Sequence, residues 1–355
     1  MNDQVYWVWF SMLNRISPQM KISLIRQYEN PYNLWTFFKK EHNPADISPG
    51  AYRDLVSDEL KKKSYRTLKR TLDLGIGIIS YNDKDYPPLL KQIPDPPVVL
   101  YFLGNKAYLK NCFAIVGSRK ATIYGKNSAM EIASYLAEQG IVIASGLAKG
   151  IDTYAHKGAL KAGGKTVAVL ASGVNVVYPY ENKALYSEII DQGTVLSEHP
   201  VDTQPLPYYF PLRNRIVSGL SKGILVIEAG EKSGTLITVD YALAQGREVF
   251  ALPGNVTSSQ SKGTNRLIYH GATPAIDPED ILRLYRSDVK NRTIVPTDMD
   301  ESEKIIYDLV YQGISDFESI SEKAGFDRKE ALAVLLSLEL KLYVKRREDG
   351  GYIPF

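Results

Sequence analysis

Gly117, Ser118 and Arg119 form the first loop whose residue types could bind a ligand, and they follow an apolar run that ends at Val116. A small-residue turn at the start of a helix exposes backbone N–H groups and the positive end of the helix dipole, and both attract an anion such as phosphate. Arg119 adds a planar donor that is always charged. On these residues alone, a phosphate ligand and a plain surface charge beside a tight bend are equally good interpretations.

Two other loops repeat this composition after apolar runs. Their small or cationic residues are Ser145, Gly146, Lys149, Ser233, Gly234 and Thr235. Each loop precedes a helical pattern, so the backbone amides of each suit an anion for the same physical reason. The repetition favours a phosphate site more than any single turn does.

A further stretch, PLPYYFPLRNRIVSGLS, places aromatic side chains directly before cationic ones. Phe210 lies three residues before Arg213, and Asn214 follows. Single-stranded nucleic acid is held in this way, because flat rings stack on bases while guanidinium groups pair with phosphates. The alternative is that Phe210 packs in the core and the arginines form internal ion pairs. The agreement among all these loops favours binding to a phosphate backbone.

Asp152 and His156 stand four residues apart and could form an acid–base pair. The favoured interpretation is structural, with Asp152 as a helix cap and His156 as a satisfied neighbour. The four histidines have no metal-ligand spacing, and the chain has neither a Walker A motif nor a nucleophile elbow. The sequence therefore predicts no catalytic residue, no metal and no cofactor.

Composition limits the class of protein. The formal net charge is +3 over 355 residues, too small for a protein that coats polyanions over its whole surface, so a nucleic-acid contact should be a local patch. The single cysteine, Cys112, allows no internal disulfide and fits a reducing cytosol. The apolar stretch from Val5 to Leu13 lacks the features of a signal peptide, and no segment has the length of a membrane span. We expect a cytoplasmic protein without a membrane contact.

Residues 76–287 alternate β-rich apolar runs with helical patterns. The predicted strands are Phe113–Val116, Ile141–Ser145, Thr166–Ala171, Thr194–Ser197, Gly223–Glu228 and Glu248–Leu252. This alternation predicts an α/β fold, an extended Rossmann-like, doubly wound parallel sheet with right-handed crossovers. Ligands of such sheets bind beyond the carboxyl ends of the strands, where the loops described above lie.

The flanking regions differ from this pattern. Residues 1–75 have few glycines and read as a small helical domain, in which the basic run KKKSYRTLKR is interpreted as a solvated helix face. Residues 288–299 are predicted to be a linker, and residues 300–355, with three helical stripes and a hairpin pattern, a winged helix-turn-helix. Residues 300–355 contain 8 Lys or Arg and 12 Asp or Glu, and this acidic excess favours a contact with a protein over binding in a groove of DNA.

Several longer motifs lie in a fixed order between Tyr86 and Asn255. They are YPPLLKQIPDPPVVLYFLGN, AIVGSR, SGLAKGIDTYAHKGAL, Tyr178-Pro179, FPLRNRIVSGLS, SGTLITVDYAL and ALPGN. In these motifs the chain resembles the DprA/Smf family, the bacterial DNA-processing proteins of natural transformation. The helical start and the tail also match the layout of that family, whose N-terminal domains are SAM-like or of the helix-hairpin-helix type.

The resemblance implies a homodimeric protein that is not an enzyme, binds and protects single-stranded DNA, and helps to load the RecA recombinase during natural transformation and recombination. The pocket residues that carry over are Gly117, Ser118, Arg119, Ser145, Gly146, Phe210, Arg213, Asn214, Ser233, Gly234 and Thr235. Lys149 is added because of its place in the second loop. Ile268 is the predicted dimer-interface residue, and simple core packing is an equally open alternative for it.

The chain also departs from the family in two of its local motifs. Tyr180 stands after Tyr178-Pro179 where some members carry a basic residue, and the stretch LNRISPQ lacks the Gly-Ile-Gly of an intact helix-hairpin-helix, which makes that motif degenerate.

The alternative function is that of a nucleotide-processing phosphoribohydrolase of the LOG type, whose fold is similar. Thr238 stands at the position of the catalytic glutamate of those enzymes and cannot act as a carboxylate base, so we favour the binding protein.

Overall fold

The computed structural model describes residues 3–38, 47–286, 299–311, 313–341, 343–347 and 350–354. The chain divides into two compact units, Met1–Tyr285 and Arg286–Phe355. The predicted domain boundary after residue 75 lies inside the first unit and stays a prediction. Of the predicted linker 288–299, residues 288–298 lie outside the described residues.

The first unit opens with short helices whose starts the sequence specifies locally. They are α1 (Gln4–Ser11), α2 (Pro18–Tyr28), α3 (Pro31–Phe37), α4 (Pro49–Leu55) and α5 (Asp58–Asp73). The residues before α2, α3 and α4 are Ser17, Asn30 and Ser48, and each accepts a hydrogen bond from a backbone N–H in the first turn. Proline then occupies the first helical position, where no N–H is needed. Trp9 and Phe10 of α1 are fully buried in the hydrophobic core that these helices share with the sheet.

A mixed sheet forms the centre of the first unit. Its strands are β1 (Gly77–Ser80), β2 (Val99–Gly104), β3 (Cys112–Val116), β4 (Val142–Ser145), β5 (Thr166–Val169), β6 (Thr194–Ser197), β7 (Ser221–Val226), β8 (Glu248–Ala251) and β9 (Thr273–Pro274). Their order across the sheet is β1-β2-β6-β5-β4-β3-β7-β8-β9. From β6 to β9 neighbouring strands are parallel, whereas β2 pairs antiparallel with both β1 and β6.

This order places a topological switch point between β3 and β7. After β3 the chain winds outward through β4, β5 and β6, and it then returns to add β7, β8 and β9 on the other side of β3. The loops after β3 and β7 consequently leave the sheet in opposite directions and open a crevice at the carboxyl ends of these two strands.

Helices cover both faces of the sheet. They are α6 (Pro88–Lys91), α7 (Ile123–Glu138), α8 (Ile151–Lys161), α9 (Lys183–Gln192), α10 (Tyr209–Leu220), α11 (Thr235–Ala244), α12 (Lys262–Tyr269) and α13 (Glu279–Arg286). On one face Ala133 of α7 and Ala155 of α8 pack with Ile115 of β3. On the other face Val217 of α10 and Val239 of α11 pack with neighbouring sheet residues. Small alanines let α7 and α8 lie close together over the centre of the sheet.

The predicted doubly wound α/β fold is confirmed, and the run Thr194–Ser197 has the predicted bounds. The sequence missed β1, β2 and the two-residue strand β9. Strand β2 follows a proline-rich segment, and prolines argue against a strand because they remove a ladder donor. Here the last of those prolines, Pro97, lies just before the strand, so every residue of β2 can still pair with β1 or β6.

The second unit contains α14 (Glu301–Tyr311), α15 (Phe317–Ala324), α16 (Arg328–Leu340), β10 (Val344–Arg346) and β11 (Tyr352–Pro354). The two strands pair antiparallel, and Ile306, Leu335 and Val344 are fully buried between the elements. Asp327 caps α16 by accepting hydrogen bonds from the backbone N–H groups of Lys329 and Glu330. The interpretation of this unit as a winged helix-turn-helix stays a prediction. Within the described ranges of the whole chain, no helix combines the length and the apolar composition needed to cross a membrane.

Candidate single-strand binding crevice

A cavity of about 550 Å³ opens at the switch point between β3 and β7. Its walls come from the loop after β3, the loop after β4, the start of α10 and the start of α11. Among the predicted DNA-binding residues, those that line it are Gly117, Ser118, Arg119, Gly146, Phe210, Arg213, Asn214, Ser233, Gly234 and Thr235. The topology therefore brings together loops that are far apart in sequence.

The loop after β3 is held from both sides. The backbone N–H of Ser118 donates to the Glu228 carbonyl oxygen at 2.8 Å, and the Ser118 carbonyl oxygen accepts from the N–H of Ile151 at 3.2 Å. A Cβ atom at Gly117 would lie 2.6 Å from Cγ1 of Ile151, so only glycine fits there. The fixed loop presents Arg119 outward, with its side chain exposed.

Arg119 lies over an aromatic ring. Its guanidinium carbon is 5.2 Å from the centre of the Phe210 ring, and the Phe210 ring meets that of Tyr178 edge-on at 5.4 Å. Among the described residues no carboxylate forms an ion pair with Arg119. The cation is therefore oriented by a ring and remains available to an external anion.

The amino end of α7, which follows this loop, is closed by the protein itself. Glu228, fully buried after β7, accepts from the Thr122 N–H at 2.9 Å and from the Thr122 hydroxyl at 2.5 Å. Gly125 makes room for this carboxylate, since a Cβ there would lie 2.4 Å from it. An internal carboxylate therefore occupies the place at the helix end where an external phosphate would gain most from the helix dipole. The anion-binding capacity of this wall rests on Arg119 instead.

Arg213 is buried under the crevice. Its guanidinium donates to the carbonyl oxygens of Gly146, at 2.7 Å, and of Val169, and so ties α10 to the loop after β4 and to the end of β5. Burial lowers the pKa of Arg213 to about 10, which leaves it charged at neutral pH. Burial has the opposite effect on an acid and raises the pKa of Asp152, whose carboxylate accepts hydrogen bonds from the backbone N–H groups of Gly146 and Ala148. Arg213 consequently shapes the crevice and supplies positive charge from beneath it.

The opposite wall is the start of α11. Gly234 is its N-cap residue, and the Ser233 hydroxyl accepts from the Thr235 N–H at 3.2 Å while donating to the Thr235 hydroxyl at 3.0 Å. Ser233 thereby fixes the first turn, and the positive end of the α11 dipole faces the cavity. The prediction that Ser233, Gly234 and Thr235 lie at the start of a helix is confirmed, since α11 begins at Thr235.

Two predicted contact residues do not line the crevice. Ser145 is fully buried and donates its hydroxyl to the Ile115 carbonyl oxygen at 2.7 Å, so it joins β4 to β3. Lys149 is exposed and forms a 2.5 Å ion pair with Glu181. Ile268, predicted for the dimer interface, is half-buried on α12. The DNA and dimer roles given to these three residues stay predictions.

Asp152 and His156 do not form an acid–base pair. The Nδ1 atom of His156 lies 2.7 Å from the Thr166 hydroxyl, and burial lowers the pKa of the imidazole to about 3. The structure also adds residues that sequence reasoning missed. Lys120 lines the crevice beside Arg119, and the adjacency of two cations was a signal for it. No local signal pointed to the closing role of Glu228.

The fold and the site define a class: a doubly wound α/β protein with a cationic crevice, walled by aromatic rings, at the switch point of its sheet. The family model described as DNA recombination-mediator protein A matches residues 77–286, and the chain belongs to that family. The resemblance to the DprA/Smf proteins drawn from the sequence is thereby confirmed.

Comparisons with individual relatives support the same family assignment. The chain is 38% identical over 276 residues to the DNA processing protein DprA of Bacillus subtilis, which covers 74% of this chain and 93% of the relative. It is similar in structure to DprA of Streptococcus pneumoniae, with a TM-score of 0.67 at 35% identity over 80% of this chain and 97% of the other. A structure that describes the single-stranded DNA binding mode of the Helicobacter pylori DNA processing protein A matches with a TM-score of 0.55 at 30% identity, over 60% of this chain and 96% of the other.

Proposed function

We propose that this protein binds single-stranded DNA through its phosphate backbone in the crevice between β3 and β7, without catalysing a reaction on it. The observation that carries the proposal is the pair of Arg119 and Phe210. An exposed guanidinium, held over a ring and without an internal ion pair among the described residues, supplies both interactions that a single strand needs. Membership of a family in which one relative has a described single-strand binding mode supports the same ligand.

The charges around the crevice support a polyanion. Its lining includes the cations Arg119, Lys120 and Arg213 against one carboxylate, Asp152, which is engaged by backbone amides. Phosphate contacts of this kind position a strand without reading its sequence. We therefore expect binding that depends on salt and is tolerant of base composition.

Hydrolysis of a nucleotide is not favoured. Thr238, at the position where LOG-type enzymes carry their glutamate, lines the crevice and is buried. A hydroxyl cannot serve as a carboxylate base at neutral pH. Incubation with nucleoside monophosphates followed by chromatography tests this directly, and release of free base in proportion to the protein would overturn the choice of a binding protein.

The direct experiment is a filter-binding titration of single-stranded DNA at several salt concentrations with the intact chain, Arg119→Ala and Phe210→Ala. Loss of one phosphate contact in Arg119→Ala should reduce the slope of log K against log salt by about 0.7, whereas loss of stacking in Phe210→Ala should weaken binding by about 1–3 kcal/mol with the slope unchanged. Lys110→Ala is the matched control, because Lys110 is exposed and lies just before β3, at the opposite end of that strand from the crevice. Equal affinity of all four proteins would remove the crevice as the binding site.

We further propose that the protein acts as a homodimer, protects the bound strand and promotes loading of RecA during transformation and recombination. Ile268→Glu should convert a dimer to a monomer in sedimentation if α12 forms the interface. RecA assembly on strands coated with single-strand binding protein, followed with and without this chain, tests loading. The excess of acidic residues over basic ones in residues 300–355 supports a protein contact for the second unit.

A further inference from the structure

Helix α5 presents a strongly basic face to solvent. Between Lys61 and Arg70 it carries six Lys or Arg residues and no Asp or Glu. The cations on its outer side are Lys62, Lys63, Arg66, Lys69 and Arg70, all exposed. Among the described residues only Arg70 of these five forms an ion pair. The acidic residues of α5, Asp58, Glu59 and Asp73, lie outside this run, so the six cations are adjacent only to one another within it. Mutual repulsion of like charges three and four residues apart lowers the stability of a helix.

Aromatic rings lie at the edge of this face. Tyr65 is 42% exposed, and its ring meets that of Trp35 edge-on at 6.1 Å. The Lys61 ammonium lies 4.8 Å from the centre of the Trp35 ring. Cations interleaved with partly exposed rings are the combination that single-stranded nucleic acid uses, as it is in the crevice.

The carboxyl end of α5 lies against the loops that form the crevice. Arg70 Nε is 3.3 Å from Asp202 Oδ2, and Asp202 Oδ1 accepts from the Asn175 side-chain amide at 2.7 Å. Asn175 belongs to the loop that carries Tyr178, and Asp202 to the loop that leads to Phe210. A chain of contacts therefore runs from the ring pair of Tyr178 and Phe210 to the end of the basic helix.

We propose that the exposed face of α5 is a second binding surface for single-stranded DNA, which carries the strand onward after it leaves the crevice. The inference rests on the proposed function, since it concerns the same strand. From Lys62 to Arg70 the face is about 12 Å long at 1.5 Å per residue, enough for several phosphates to contact its cations. Tyr178 and Tyr180, 46% and 73% exposed, offer rings on the loop between the two surfaces.

The proposal predicts that α5 matters only for strands long enough to reach it. The test compares the intact chain with Lys62→Gln/Arg66→Gln/Lys69→Gln, using oligothymidylates of about six and about thirty nucleotides, lengths below and above the reach of a single surface. The matched control is Lys110→Gln/Lys157→Gln/Lys161→Gln, which removes the same charge from exposed positions elsewhere in the first unit. Circular dichroism and thermal melting verify that both variants keep the fold.

For the long strand, the α5 variant should bind about tenfold more weakly at low salt, and its salt slope should fall by about 2, because up to three phosphate contacts are lost. For the short strand its affinity should equal that of the intact chain, and the control variant should match the intact chain at both lengths. An equal loss for both lengths, or an equal loss in the control, would show a general charge effect and overturn the inference.

Two other outcomes separate the inference from the function on which it rests. If Arg119→Ala weakens binding at both lengths while the α5 variant binds both normally, the crevice stands and the α5 surface does not. If the intact chain binds neither oligonucleotide, the proposed function itself fails.

Discussion

The buried guanidinium of Arg213 donates a 2.7 Å hydrogen bond to the carbonyl oxygen of Gly146, and so joins helix α10 to the loop after β4. Arg119, across the same crevice, is exposed and lies over Phe210 instead. The two arginines of this site therefore have different roles. Arg213 holds the walls of the crevice together, whereas Arg119 faces the open cavity.

This difference predicts opposite phenotypes. Arg213→Ala should lower the free energy of unfolding by about 2–4 kcal/mol, because it leaves the carbonyl oxygens of Gly146 and Val169 unpaired and buries Asp152 without its cation. Arg119→Ala should change the free energy of unfolding by less than about 0.5 kcal/mol, since the side chain is exposed, yet weaken DNA binding. Thermal melting and filter binding on both variants measure the pair. A melting loss in Arg119→Ala as large as that in Arg213→Ala would contradict the assignment.

Gly125 gives a second prediction, in which steric contact competes with helix propensity. Replacing a helical glycine by alanine normally stabilises a helix by about 1 kcal/mol. In Gly125→Ala the new Cβ would lie 2.4 Å from the Glu228 carboxylate and displace it from Thr122, so we expect a net loss of about 1–3 kcal/mol.

The control for that change is Asn127→Ala, at an exposed position on the same helix α7. It should be neutral or slightly stabilising in the same urea titration, because only propensity changes there. Stabilisation of Gly125→Ala by the same amount would mean that Glu228 does not close the end of α7.

The sequence could predict the parts of this molecule that depend on local pattern. Strand β6 and the start of α11 were located because apolar runs and small-residue turns mark them within a few residues. The convergence of the loops followed from the parallel order of the strands, which alternation with helices already indicates.

The rest depends on contacts between distant residues. Arg213 and Gly146 are 67 residues apart, and Thr122 and Glu228 are 106 apart. Nothing in the stretch LRNR shows that Arg213 turns inward while Asn214 lines the cavity, because that choice is made by carbonyl groups of other loops. The same holds for the basic face of α5, whose position beside the crevice loops appears only with the Arg70–Asp202 contact.

His156 gives a prediction about acid. The Thr166 hydroxyl donates to the Ile143 carbonyl oxygen at 2.6 Å, so its oxygen accepts from Nδ1–H of a neutral imidazole. The pKa of His156 is lowered to about 3 by burial and by Arg213, whereas an unfolded histidine has a pKa of about 6.5. Between these values the unfolded chain binds more protons, so stability must fall as the pH falls through 6.5.

His156→Asn tests this assignment, because the Asn amide can still donate to Thr166 but does not titrate. The variant should be less stable at pH 7, having lost volume, yet its stability should fall less steeply between pH 6 and pH 4. The intact chain should lose about 1.4 kcal/mol per pH unit more than the variant in that window, by urea titration at each pH. Parallel pH curves for the two proteins would exclude a titrating His156.

Lys21 gives the corresponding prediction on the alkaline side. It lies where α2 meets the sheet, its ammonium donates to the Ser11 carbonyl oxygen at 3.0 Å, and a small cavity there is also lined by Glu198 and Arg215. Burial lowers its pKa to about 8, while Glu198 acts in the opposite direction. Because the folded pKa lies below the unfolded value of about 10.4, the unfolded chain binds more protons between these values, and stability must rise with pH in that window.

We expect the free energy of unfolding to increase by about 1–2 kcal/mol between pH 7.5 and pH 9.5 through Lys21 alone. Lys21→Met keeps the length of the side chain and removes the charge, so it should be more stable than the intact chain at pH 7.5 and show no such rise. The pH is kept below 10 because burial raises the pKa of Tyr86 and Tyr101, which keeps them protonated in the fold and makes stability fall again at higher pH. An equal rise in the free energy of unfolding of both proteins would assign the rise to another group and exclude a lowered pKa at Lys21.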